Sequence, residues 1–299
     1  MSARTAVELR SDQVGAVVAT LVSMFGIPDH GNLNDPLDEL VYIILSQMTT
    51  HHSYRRVFER LKATYPSWFD VLNAGPDALR RSIADAGLSK QKAPRIIAIL
   101  RTLQRDFGEP SLETIRTLCD SEAERYLLSL PGVGLKTARC VMMYSLGRRV
   151  LPVDTHLARI ARRMGWVEGG LSPAAMHSSL DAVVPPHQRF ALHVNAISLG
   201  RTFCIASIPR CGACPVANYC EMGEAHKGMR PTNGRTLHRK TKRPGPKSLA
   251  VGKPMRVPDI SASELSSSDH EAASLRPLIQ MRRTAIPLGA EAYVASQAR

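Results

Sequence analysis

Residues 129–138 read SLPGVGLKTA, with a proline and two glycines at the centre. Glycine can take the positive φ angles of a tight turn and leaves the backbone N–H groups accessible. Apolar residues recur at helical spacing on both sides, which predicts one helix before the turn and another after it. The stretch therefore predicts a helix-hairpin-helix. Its turn would bind a phosphate without reading base sequence, through Pro131, Gly132, Val133 and Gly134.

Two ionisable side chains follow this turn. Lys136 falls in the first turn of the second helix, where the positive end of the helix dipole disfavours an ammonium and favours a nucleophilic amine. Asp154 lies in the sequence VDTH, residues 153–156, at the expected N-cap of another helix. Taken singly, each also fits a structural role, as a phosphate-binding lysine and a helix cap. Their combination makes Lys136 and Asp154 candidate catalytic residues.

Four cysteines near the end of the helical region follow the spacing C-x6-C-x2-C-x5-C: Cys204, Cys211, Cys214 and Cys220. Such close spacing suits a compact metal centre or local disulfides, and disulfides are not expected in a reducing compartment. Structural zinc sites usually bring two close cysteine pairs, whereas only one pair is close here. The spacing therefore favours a 4Fe-4S cluster and leaves zinc as the alternative.

Together these patterns resemble the helix-hairpin-helix DNA glycosylases, and the LPGVGLKTA and VDTH motifs resemble the endonuclease III branch specifically. The resemblance implies that Lys136 attacks the sugar of a damaged nucleotide and that Asp154 assists. It also implies that the four cysteines hold a structural 4Fe-4S cluster. Because chemistry at the sugar requires the base to leave the stack, Gln47 is expected to fill the vacated space and Leu88 to insert into the duplex.

The function implied by this resemblance is base-excision repair. The protein is expected to be a DNA N-glycosylase with abasic-site lyase activity that removes damaged bases, with oxidised pyrimidines as the expected class, through a lysine Schiff base and β-elimination. A monofunctional mismatch glycosylase and a non-catalytic iron-sulfur DNA-binding protein remain as alternatives. Adenine-mismatch glycosylases carry a glutamate four residues before the glutamine, and Ile43 occupies that position here, which argues against that branch.

Composition agrees with a nucleic-acid partner. The chain has 299 residues and a formal net charge of +13, and residues 227–256 contribute ten Lys or Arg and no acid. The expected partner is double-stranded DNA that contains damaged bases or abasic sites. The sequence shows no secretory signal and no apolar run of membrane-spanning length, so we expect a soluble, cytoplasmic, nucleoid-associated monomer with no membrane contact.

The predicted fold is all-α, because no segment of useful length alternates with period two. The resemblance implies two lobes and a C-terminal iron-sulfur cluster loop. We expect one helical domain over 33–148, with the hairpin, and a second over 11–32 and 149–224, with the cysteines. Residues 1–10 are predicted to be disordered, as is most of the basic tail over 225–299. A helix is expected from Lys92 to Phe107, with Pro94 in its first turn.

Overall fold

The computed structural model describes residues 6–226, and this part of the chain contains helices and no strand. The prediction of an all-α fold is confirmed. The α-helices are α1 Ala6–Phe25, α2 Pro36–Ser46, α3 His51–Thr64, α4 Trp68–Ser82, α5 Ser89–Phe107, α6 Asp120–Ser129, α7 Leu135–Tyr144, α8 Thr155–Met164, α9 Pro173–Val183, α10 Arg189–Thr202 and α11 Glu221–His226. Within residues 6–226 no helix has both the length and the apolar character needed to cross a bilayer.

Two separate hydrophobic cores confirm the two-lobed architecture. The first core is built from α2 to α7, with buried residues from Leu37 to Met142. The second core combines α1 with α8, α9 and α10 and includes Trp166 and Val216. The N-terminal helix therefore packs with the C-terminal half of the chain, because its apolar stripe is buried against α9 and α10.

The structure corrects several predicted boundaries. Helix α1 begins at Ala6, so residues 6–10 are helical rather than disordered, since Glu8 favours a first helical turn and no proline interrupts it. The predicted disorder of residues 227–299 lies outside the described residues. Helix α5 begins at Ser89, which puts Pro94 in its second turn rather than its first. Cys119 is exposed, because it precedes α6 as its N-cap residue.

A buried carboxyl group fixes the segment that joins the two lobes. Glu39 of α2 is 0% exposed, and its oxygens accept hydrogen bonds from the Asn32 amide at 2.5 Å and from the Leu33 backbone N–H at 2.8 Å. Burial raises the pKa of Glu39 to about 7, although these two hydrogen bonds and the charge of Lys136 partly oppose the shift. Glu39 thereby holds Asn32 beside the cleft described below.

This environment predicts a pH-dependent stability. Because the pKa of Glu39 is raised from 4.5 to about 7, ionisation of Glu39 destabilises the folded state, and the stability present at low pH is lost as pH rises through 7. Relative to Glu39→Gln, the wild type should lose about 2 to 3 kcal/mol of unfolding free energy between pH 5 and pH 8. Urea denaturation at both pH values measures this difference.

Glutamine cannot reproduce both hydrogen bonds of Glu39, and this loss destabilises the variant equally at both pH values. The change in unfolding free energy between the two pH values therefore reports only the ionisation of Glu39. Glu168→Gln, at an exposed position, should follow the wild type. An identical pH dependence for Glu39→Gln and the wild type would contradict the account.

Candidate active site

A cleft of about 610 Å³ lies between the two lobes, and both lobes contribute side chains to it. Lys136 enters from α7 of the first lobe, and Asp154 enters from the start of α8 in the second lobe. Gln47, which follows α2, lines the same cleft. Three of the candidate residues, distant in sequence, therefore face one space. Aromatic and polar side chains complete the walls: His30, Asn32, Tyr42, Ser46, Tyr54, Tyr144, His156, His193 and Arg201.

The predicted helix-hairpin-helix is formed by α6, a tight turn and α7. The Val133 N–H donates to the Leu130 carbonyl at 3.1 Å, and Gly132 has φ of +70°. Gly134 is the N-cap residue of α7 in an extended conformation, and no side chain caps the helix there. The first N–H groups of α7 therefore remain available to an anion. The Val133 side chain is buried in the first core, so only its backbone can meet DNA.

Lys136 lies in the first turn of α7 and is half-buried at the cleft. Cys140, one turn further along the same helix, also lines the cleft, and the charge of Lys136 acts on its thiol. Burial raises the pKa of Cys140 to about 11, so its thiol is neutral at physiological pH. The amine of Lys136 therefore has a neutral neighbour along its own helix.

The two carboxylate oxygens of Asp154 have different surroundings. Oδ1 accepts a hydrogen bond from the Leu157 backbone N–H at 2.8 Å, which caps α8 as expected. Oδ2 has no hydrogen-bond donor among the described residues. One oxygen therefore orients the carboxylate, while the other remains available to a ligand in the cleft.

His193 is a cleft residue that the sequence did not single out. Its Nδ1 lies 2.9 Å from the Pro152 carbonyl oxygen, which can only accept, so Nδ1 carries the proton. Burial lowers the pKa of His193, the charge of Asp154 opposes this shift, and the charge of Lys136 adds to it. The ring packs against Tyr144 with centroids 5.8 Å apart. In the sequence, His193 is a single histidine among the apolar residues of α10, and this pattern is equally typical of an inert core position.

Two loops at the edge of the cleft carry the expected DNA-inserting residues. Gln47 accepts a hydrogen bond on Oε1 from Arg95 Nη1 at 3.1 Å. Arg95 also packs on the hairpin turn, since a Cβ at Gly132 would lie 2.6 Å from Arg95 Nε. Leu88 does not line the cleft and projects from the neighbouring loop with 48% of its surface exposed. Arg95 thereby connects Gln47 to the hairpin turn.

Four cysteines line one small apolar cavity in the second lobe, and none of them forms a disulfide: Cys204, Cys211, Cys214 and Cys220. Arg163 approaches two of them. Its Nη1 donates to Cys204 Sγ at 3.3 Å, and its backbone carbonyl accepts from Cys220 Sγ at 3.1 Å. Across residues 6–226, no three His, Cys, Asp or Glu side chains converge closely enough to hold one metal ion. The four cysteines therefore share one cavity.

Comparison with known proteins agrees with this geometry. Residues 41–186 match the family of HhH-GPD superfamily base excision DNA repair proteins. The chain is 30% identical over 194 residues to endonuclease III of Thermotoga maritima, a match that covers 65% of this chain and 86% of that protein. A candidate DNA glycosylase of Arabidopsis thaliana is 40% identical over 157 residues, which cover 52% of this chain. The match spans only 54% of that plant protein's length.

A solved structure shows the same fold. A non-covalent endonuclease III–DNA complex superposes with a TM-score of 0.63 at 26% identity, over 72% of this chain and 97% of that one. The helix-hairpin-helix, the two helical lobes and the similarity to endonuclease III across most of its length all agree. The chain belongs to the endonuclease III-like branch of the HhH-GPD superfamily of base excision DNA repair proteins.

Proposed function

We propose that this protein is a DNA N-glycosylase with abasic-site lyase activity, and that Lys136 is its nucleophile. The observation that carries the proposal is the position of Lys136 and Asp154, from opposite lobes, in one cleft of about 610 Å³. A cleft of this size falls in the range that holds a small ligand, and a flipped nucleotide is of that class. The uncapped start of α7 supplies phosphate contacts next to the nucleophile.

The chemistry follows from the two side chains. The Lys136 amine attacks C1′ of the flipped nucleotide, the C1′–N bond breaks, and the base leaves with the bonding electrons and takes up a proton. The attacking nitrogen gives up a proton as the sugar ring opens, which produces a Schiff base between Lys136 and C1′. Loss of a C2′ proton then expels the 3′ phosphate by β-elimination, and water releases the lysine.

Asp154 stabilises the positive charge that develops on the sugar and accepts the lysine proton. Its cap bond to the Leu157 N–H fixes Oδ1, so the carboxylate needs little reorganisation during the reaction. His193 lines the same cleft. Burial lowers its pKa, so the ring is neutral and adds no positive charge near the carboxylate of Asp154.

The proposed substrate is duplex DNA with an oxidised pyrimidine, and the basis for this class is the resemblance to endonuclease III. The cleft lining suits such a base, because Tyr42, Tyr54 and Tyr144 contribute aromatic rings and Asn32 and His30 contribute polar side chains. Damage weakens pairing and stacking, so these bases also flip at lower cost than normal ones.

We also propose that the four cysteines hold a 4Fe-4S cluster with a structural role. Zinc would require their sulfurs to meet at about 2.3 Å from one ion. All four cysteines line one shared apolar cavity, and in a 4Fe-4S cluster each of the four sulfurs would bind a separate iron. Arg163 supplies the N–H donor to Cys204 Sγ that commonly accompanies cluster thiolates.

Borohydride trapping on duplex DNA with an abasic site tests the nucleophile. The wild type should form a covalent adduct, and Lys136→Gln should form none because no amine reaches C1′. Lys90→Gln, at an exposed position, should trap like the wild type. Adduct formation by Lys136→Gln at the wild-type rate would overturn the assignment. On a second duplex that carries a damaged base, base release by the wild type without any adduct would indicate a monofunctional glycosylase.

Asp154→Asn separates catalysis from capping. Asparagine is an equally good N-cap, so the unfolding free energy should change by less than about 0.5 kcal/mol. Loss of the carboxylate charge should lower the single-turnover base excision rate by about 100-fold. Asp35→Asn makes the same substitution at the cap of α2 and should leave excision unchanged. An equal effect of both substitutions would show that Asp154 is only a cap.

The cluster proposal predicts iron and acid-labile sulfide in equal amounts in the purified protein, with broad visible absorbance. Cys211→Ser should lose the absorbance and most of the iron, because the remaining three thiols leave one iron without its ligand. Cys119→Ser removes an exposed cysteine outside the site and should retain both signals. Bound zinc without iron or labile sulfide in the wild type would contradict the proposal.

A further inference from the structure

A buried ammonium group lies beneath the two loops at the edge of the cleft. Lys92 of α5 is 2% exposed, although no carboxylate pairs with it among the described contacts. Its Nζ instead lies within hydrogen-bond distance of four oxygens: Leu45 O at 2.8 Å, Gln47 O at 2.7 Å, Thr49 Oγ1 at 3.1 Å and Ala86 O at 2.7 Å. One of these belongs to the last turn of α2, two belong to the chain that follows α2, and one belongs to the segment before α5. The ammonium therefore joins the two loops.

Each of these loops ends in an exposed apolar side chain on a left-handed backbone. Met48 has φ of +54° and is 87% exposed, and Leu88 has φ of +50° and is 48% exposed. They are the only residues other than glycine with positive φ in the part of the chain that the structure describes. This conformation is unfavourable for such side chains, and so is their exposure to water. Both unfavourable features occur at the same edge of the cleft, which indicates that Met48 and Leu88 share a function.

The two tips lie close together. A Cβ at Gly87, next to Leu88, would be 3.6 Å from the Met48 carbonyl oxygen and 3.6 Å from Thr49 Oγ1. Met48 lines the mouth of the cleft, whereas the Gln47 side chain is already bound by Arg95. Met48 is therefore the unattached side chain between the cleft and Leu88.

We propose that Met48 fills the gap that the flipped nucleotide leaves, and that Lys92 holds Met48 and Leu88 together as one DNA-inserting edge. The inference rests on the proposed function, since an inserting edge serves an enzyme that flips bases. A flexible thioether fits an irregular gap between stacked bases without needing a hydrogen-bond partner there. Lys92 is a positioning residue, because it acts on DNA only through the two loops.

The test compares excision of thymine glycol from a paired duplex with excision from the same sequence in an unpaired bubble. In the bubble the base is already unstacked, so no inserting side chain is needed. Met48→Ala and Leu88→Ala should each slow single-turnover excision from the duplex by about 10- to 100-fold, and leave the bubble rate unchanged. Gln47→Ala should have the smaller effect on the duplex. Met24→Ala, an exposed methionine of α1, should match the wild type on both substrates.

Lys92→Met tests whether Lys92 holds the two loops together, because methionine keeps the approximate length of the side chain and removes the ammonium. It should lower the duplex-to-bubble rate ratio as the tip variants do. Lys90→Met removes the same charge from an exposed site and should keep the wild-type ratio. Proportional losses on both substrates would indicate a merely structural Lys92 and would overturn its role. A wild-type duplex rate in Met48→Ala would overturn the assignment of the gap-filling residue.

Insertion can also be measured without base release. The fluorescence of 2-aminopurine placed opposite the lesion rises when this base is unstacked. Bound Lys136→Gln should unstack the probe, and Met48→Ala in that background should reduce the signal at saturating protein. If the wild type releases no base from either substrate, the proposed function fails, while the fluorescence still reports whether Met48 opens the duplex. Equal fluorescence with and without Met48 would reject the inserting edge itself.

Discussion

The ion pairs of Arg139 determine how the two lobes meet. Its guanidinium lies 2.7 Å from Glu124 in the first lobe and 2.7 Å from Asp181 in the second. Arg139 is 13% exposed, so water screens these pairs only partly. Nη1 also donates to the Leu151 carbonyl at 3.4 Å, just before the segment that leads to Asp154. Because Arg139 follows Lys136 by one helical turn, the same contacts set the distance between the two candidate catalytic residues.

This arrangement brings two helix N-termini to one cleft. At the start of α7 the N–H groups are uncapped and Lys136 provides an amine, whereas at the start of α8 Asp154 satisfies the helix with one oxygen. The first terminus suits a phosphate, and the second holds a negative charge near a developing cation. Binding and proposed catalysis thus use the same local feature, a helix start, with opposite ligands.

The sequence predicted the all-α fold and the hairpin because glycine turns and helical periodicity are local signals. It also indicated Lys136 and Asp154, whose positions depend on the same turns and caps. It could not indicate Lys92, His193 or Glu39, because their environments are made by segments distant in the chain. A buried lysine that binds four oxygens has the same local sequence as a surface lysine. The exposure of Met48 likewise depends on a left-handed backbone conformation that no local sequence motif predicts.

The proposed reaction requires that Lys136 and Asp154, held by different lobes, face the same deoxyribose. A crystal structure of the borohydride-trapped complex with abasic-site DNA tests this most directly. The density should be continuous from Lys136 Nζ to C1′, and a carboxylate oxygen of Asp154 should be directed at the same sugar. Density from another amine, or an Asp154 side chain turned away from the trapped sugar, would contradict it.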